Sequence, residues 1–135
     1  MLIIFKINID IVFCQYEKRY IYSQHLSLSY ERPELAATIS PEDMEKYDVI
    51  FLGYPNWWGT IPMAMFTFLE QYDLSGKTIV PFCTHGGGGL GRGVDDITRI
   101  SPNATILQGF AVNGGSVSRA QNDVADWLRG LGYIR

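Results

Sequence analysis

The chain has 135 residues, 47% of them apolar and 19% charged, with a formal net charge of −3. That suits a single globular domain able to bury a core without staples. The acidic balance and the scattered Lys and Arg argue against a phosphate-backbone surface, so no nucleic-acid partner is expected, and any anionic ligand would be held by backbone N–H groups.

The opening run, Met1 to Gln15, tests as a targeting segment and fails. Lys6, Asn8 and Asp10 interrupt its apolar residues, no small-residue cleavage site follows, and Phe13 is too large to precede a lipoprotein-type Cys14. It reads instead as a strand: Phe5, Ile7, Ile9, Ile11 and Phe13 repeat with period two, leaving one wet face. No stretch approaches the ~20 apolar residues of a membrane span, so no membrane partner is expected. Cys14 and Cys83 lack metal-ligand spacing. The alternatives are a disulfide and two buried thiols in a reducing cytosol, and the second, with a cytoplasmic location, is expected.

Residues 15–23 are polar and aromatic without a sustained period, and 24–40 read as a loop. Ser40-Pro41-Glu42-Asp43 then gives a helix start, with a Ser cap, Pro at the first helical position and acids in the first turn. That helix must be short, because the apolar run Val49–Gly53 follows at once as a strand covered on both faces. After the loop Tyr54–Thr60 a helix is predicted over 62–72, closed by Gly76. A second buried strand follows over 78–83, then a glycine loop and a helix over 91–100. A third strand lies within 104–112, Asn113-Gly114-Gly115 turns the chain, and Ser116 is read as the cap of a last helix ending near Gly130. From residue 48 on, strand and helix alternate, which predicts a parallel sheet with right-handed crossovers.

In such a sheet ligands bind outside the carboxyl ends of the strands. Two loops there are unusual. In Pro55-Asn56-Trp57-Trp58-Gly59-Thr60, adjacent indoles cannot both enter one core, so one faces solvent or a flat ligand, or both cover helix ends. In Thr84-His85-Gly86-Gly87-Gly88-Gly89, the glycines permit close approach of main chain to a ligand, or simple flexibility. The pattern is not a phosphate loop, since no Lys stands at the required place. His85 either donates a proton or bonds to the loop backbone, and the structural role is favoured. Cys83 reads as packing rather than nucleophile, and Asp95 and Asp96 as acids complementing a helix dipole. No metal set and no catalytic residue is assigned.

Taken together, Asp48–Gly59, Phe66–Glu70, Gly76–Thr78, Pro81–Gly86 and Gly89–Gly91 resemble the short bacterial flavodoxins, and Arg32–Leu35 fits the same pattern. The resemblance covers residues 31–135, with 1–30 divergent, in a single domain 1–135. It implies a doubly wound α/β parallel sheet, a flavodoxin-like three-layer sandwich, with FMN at the switch in strand order. It implies that residues Pro55, Asn56, Trp57, Trp58, Gly59 and Thr60, with Thr84, His85, Gly86, Gly87 and Gly88, flank the isoalloxazine. An indole would then stack on the ring, and glycine amides would meet its polar edge.

Residues 1–40 show no Ser/Thr-rich phosphate loop of the family's form, and Phe5–Ile7 with the Tyr16/Tyr20 pair resemble its second strand and the loop after it. The expectation is therefore an incomplete N-terminal part, weakened FMN occupancy, and FMN and riboflavin bound within about tenfold of each other. The open flank of strand 48–53 would be filled by residues 2–13 or covered by a second chain as a homodimer. The function implied is an FMN-binding electron carrier, with a redox partner protein, or a flavin-dependent oxidoreductase. The alternative is a flavin-free remnant acting as an interaction module.

Overall fold

The computed structural model describes residues 2–5, 12–14, 31–35 and 38–135. Among them six strands make one sheet: β1 (Leu2–Phe5), β2 (Val12–Cys14), β3 (Val49–Pro55), β4 (Thr78–His85), β5 (Thr105–Ile106) and β6 (Phe110–Asn113). The order is β2-β1-β3-β4-β5, with β6 pairing further along β4. β3, β4, β5 and β6 run parallel, in the register Leu52 to Pro81 and Phe82 to Phe110.

The N-terminal part departs from the single strand predicted within 2–13. β1 and β2 are two antiparallel strands, and β1 is also antiparallel to β3, with Ile4 opposite Leu52. β1 thus takes the flank of β3, the first of the two coverings expected from sequence. Met1 and residues 6–11, 15–30 and 36–37 lie outside the described residues, and with them the expectations for Lys6, Tyr16, Tyr20 and segment 15–23.

Helices cover both faces, completing three layers. α1 (Pro41–Glu45) starts as expected, the Ser40 side chain accepting the Asp43 N–H at 3.1 Å. α2 (Met63–Gln71) and α3 (Gly93–Ile100) follow β3 and β4. A 3₁₀ turn, Gly114–Arg119, precedes α4 (Gln121–Gly130). Alternate residues of β3 serve opposite faces. Ile50, Leu52 and Tyr54 join Met44, Met63, Phe66, Leu69 and Ile97 in one core. Phe51 meets Trp127 and Tyr133 edge-on, at ring-centroid distances of 6.3 and 5.1 Å. No helix among the described residues is long and apolar enough to cross a membrane.

The segment before α1 is pinned to α2. Arg32 makes a two-point pair with Glu70 at 2.8 and 2.9 Å, and its guanidinium lies 4.6 Å from the Phe66 ring centroid. The Thr67 hydroxyl donates to the Pro33 carbonyl at 2.9 Å, and the Tyr72 hydroxyl both donates to and accepts from the Ile39 backbone.

Two sequence readings are corrected here. Ser116 caps no helix: it lies inside the 3₁₀ turn, because the Asn113 side chain takes the Gly115 N–H at 3.0 Å and starts that turn earlier. α4 itself begins after Ala120 without a side-chain cap. The third strand is broken at residues 107–109, where the Gln108 carbonyl accepts the Trp127 Nε1–H at 3.0 Å.

Tyr54 shows how tightly β3 meets α3. The residue is 3% exposed, its hydroxyl has no partner among the described residues, and burial, then the nearby Cys83, pushes its phenol above the ordinary range. A Cβ at Gly93 would stand 2.5 Å from that oxygen. Tyr54→Phe is expected to leave stability unchanged or raise it by up to about 1 kcal/mol. Gly93→Ala should cost about 1–3 kcal/mol, and less in the Tyr54→Phe background. Thermal unfolding of the four proteins reads this, and an equal Gly93→Ala cost in both backgrounds would contradict the contact.

Candidate functional site

Because β3, β4 and β6 are parallel, the loops after Pro55, His85 and Asn113 leave from one edge of the sheet. The first two are joined into a single unit. The Asn56 N–H donates to the Thr84 carbonyl at 2.8 Å, and the Asn56 Nδ2 donates to the Gly89 carbonyl at 2.7 Å. The Arg92 N–H donates to the Gly59 carbonyl at 2.7 Å, and the Thr60 hydroxyl donates to the Asp96 carboxylate. Each bond spans 28 or more residues of sequence and crosses from one loop to the other or to α3.

Within the first loop, Trp57 and Thr60 exchange backbone hydrogen bonds at 2.9 and 3.1 Å, forming a two-residue turn. Its central residues have φ of 56° at Trp58 and 81° at Gly59, the signs of a type I′ turn. Gly59 takes that conformation without strain. Trp58 does not: a left-handed backbone costs a bulky L-residue about 1–2 kcal/mol. Trp58 is also 44% exposed, while Trp57 is half-buried. A strained, exposed aromatic at the ligand edge of an α/β sheet points toward function.

In the second loop the His85 Nδ1 accepts the Gly87 N–H at 2.9 Å, which gives His85 the bond to the loop backbone that the sequence favours. Gly86 and Gly87 have open space where a Cβ would stand. The N–H groups of Gly86, Gly88 and Gly89 have no acceptor among the described residues. A flat heterocycle with acceptor atoms on its rim fits this surface, since it could approach the backbone and accept from those donors while an indole covers a face.

The predicted residues therefore divide. Trp58, Thr84, Gly86, Gly87 and Gly88 are exposed, and Pro55, Trp57 and His85 are half-buried beside them. Asn56, Gly59 and Thr60 instead hold the loops together. Sequence reasoning missed their partners Arg92 and Asp96. Asp96 does sit in the first turn of α3, as the dipole reading had it, but it also bonds Thr60 and pairs with Arg99 at 2.8 Å. Burial opposes its charge, yet the bonds from Arg99 and Thr60 and the charges of Arg99 and Arg92 outweigh it, holding the carboxyl below its ordinary value. Cys83 carries a free, buried thiol beneath the loop, and burial pushes it up to about 11, too high for a ready nucleophile.

Among solved structures the chain is similar to a candidate flavoprotein of Bacteroides uniformis ATCC 8492, at 26% identity and a TM-score of 0.65 over 80% of this chain and 69% of that one. It is similar to a candidate flavoprotein of Bacteroides eggerthii DSM 20697 at 28% identity and a TM-score of 0.61, with the same coverage. A flavoprotein of Lactobacillus acidophilus NCFM, solved in complex with FMN, is 20% identical with a TM-score of 0.49, over 72% of this chain and 64% of its own. No curated protein matches. Residues 8–131 match the family model for flavodoxin. With that match spanning most of its length, the chain belongs to the flavodoxin family.

Proposed function

We propose that this protein binds FMN at the carboxyl edge of β3 and β4 and works as an electron carrier or a flavin-dependent reductase. The observation that carries this reading is one hydrogen-bonded unit presenting both an exposed, strained Trp58 and a glycine run with open N–H donors. Family membership and the likeness in fold to two candidate flavoproteins support it. The flavin, when bound, supplies the redox chemistry. The chain's own residues would orient it: an indole of the Trp57–Thr60 turn would cover a ring face, and Gly86, Gly88 and Gly89 would donate N–H bonds to its rim.

FMN and riboflavin titrations of the purified protein, followed by quenching of flavin fluorescence, test the reading. Saturable binding is expected, with both flavins within about tenfold of each other. Trp58→Ala should weaken binding about five- to tenfold, on the scale of an aromatic stacking contact. Absence of binding would overturn the proposal and leave the interaction-module alternative. A thousandfold preference for FMN would locate a phosphate site beyond these two loops.

A further inference from the structure

The Trp57–Thr60 turn holds a tryptophan in a backbone conformation that it disfavours, so bonds from the rest of the protein help to keep that turn closed against the strain. Its own two backbone bonds close a two-residue turn of the kind that places its first central residue at positive φ, so Trp58 stays in that conformation as long as the turn stays closed. Two external holds come from the start of α3 and the segment leading into it. The Arg92 N–H fixes the Gly59 carbonyl, and the Asp96 carboxylate takes the Thr60 hydroxyl. Asp96 is itself fixed, since Arg99 one turn later binds its other oxygen. Thr60 is buried and the Asp96 side chain is only 18% exposed, so water competes weakly for this bond.

We propose that Asp96 is a positioning residue that sets the Trp57–Thr60 turn, and with it the presentation of Trp58, through the Thr60 hydroxyl. Asp95 provides the contrast. It lies in the same first turn of α3 and offers the same charge to the helix dipole, but it is exposed and bonds nothing in the loop. A dipole role would make the two acids equivalent. A positioning role makes them different. The consequence for ligand affinity rests on the flavin reading above, whereas the ordering of the turn does not.

The test uses the full-length protein without flavin, reading amide exchange of Trp57 and Thr60 by NMR, because these two N–H groups close the turn. Asp96→Ala and Thr60→Val are expected to speed exchange at both amides by about tenfold or more, as for loss of a charge-assisted hydrogen bond. Asp96→Asn keeps an oxygen able to accept from Thr60, and should restore most of the protection. Asp95→Ala should leave it at the wild-type rate. FMN titration of the same set should weaken in the order wild type, Asp96→Asn, Asp96→Ala. Wild-type exchange in Asp96→Ala, or equal effects of Asp95→Ala and Asp96→Ala, would overturn the assignment. If the wild type binds no FMN the flavin reading falls, and the exchange data still decide the role of Asp96.

Discussion

Gly91→Ala is expected to lower stability by about 2–4 kcal/mol and to separate the two edge loops. Gly91 has a φ of 53°, where an alanine is strained before any contact is counted. Its Cβ would also overlap the Gly59 carbonyl oxygen, with the carbonyl carbon at 2.9 Å and the Asn56 Nδ2 at 3.1 Å. The oxygen cannot swing away cheaply, because it accepts from the Arg92 N–H. One methyl group therefore attacks two of the bonds that join the loops. Urea unfolding gives the stability change, and near-ultraviolet circular dichroism reports the tryptophan turn. A variant with wild-type stability and an unchanged aromatic spectrum would show that the loops do not approach as described.

Leu52→Ala is expected to cost about 2–5 kcal/mol, a large part of the 5–15 kcal/mol that holds a typical domain folded. Leu52 is fully buried at the centre of β3 and packs in the core under α2 and α3. The strands on both flanks restrict collapse of the cavity, since Leu52 is in register with Pro81 on one side and Ile4 on the other. The expected signature is a lower urea midpoint with an unchanged slope. A loss below about 1 kcal/mol would mean that the core closes over the gap and is packed more loosely than the burial indicates.

The alternating half of the chain was legible because its signals are local. The apolar runs at Val49–Gly53 and Thr78–Cys83 are strands because both faces are covered, and Ser40-Pro41 starts a helix through bonds within four residues. What stayed hidden depends on distant partners. The break at 107–109 comes from the indole of Trp127 reaching the Gln108 carbonyl, and no pattern in the strand's own residues announces it. Ser116 looked like a cap until Asn113, three residues earlier, took the N–H that begins the turn. The antiparallel pairing of β1 with β2 and with β3 depends on strand partners that period-two alternation does not name.

The site divided along the same line. Trp57, Trp58 and the glycine run were conspicuous as residue types, and the sheet topology put them at one edge. The Asn56–Gly89, Gly59–Arg92 and Thr60–Asp96 bonds that shape the edge connect residues 33 or more positions apart, invisible to a single sequence. Asp96 was seen only as a helix-dipole acid, because an acid in a first turn has a sufficient local explanation.

The central claim, that flavin is held between these two loops, is tested most directly by backbone hydrogen exchange with and without FMN, resolved by peptide mass spectrometry. The account predicts FMN-dependent protection in peptides covering residues 55–60 and 84–89, with the α4 peptide 121–130 unchanged. FMN binding that protects other segments and leaves both loops at their ligand-free rates would contradict it.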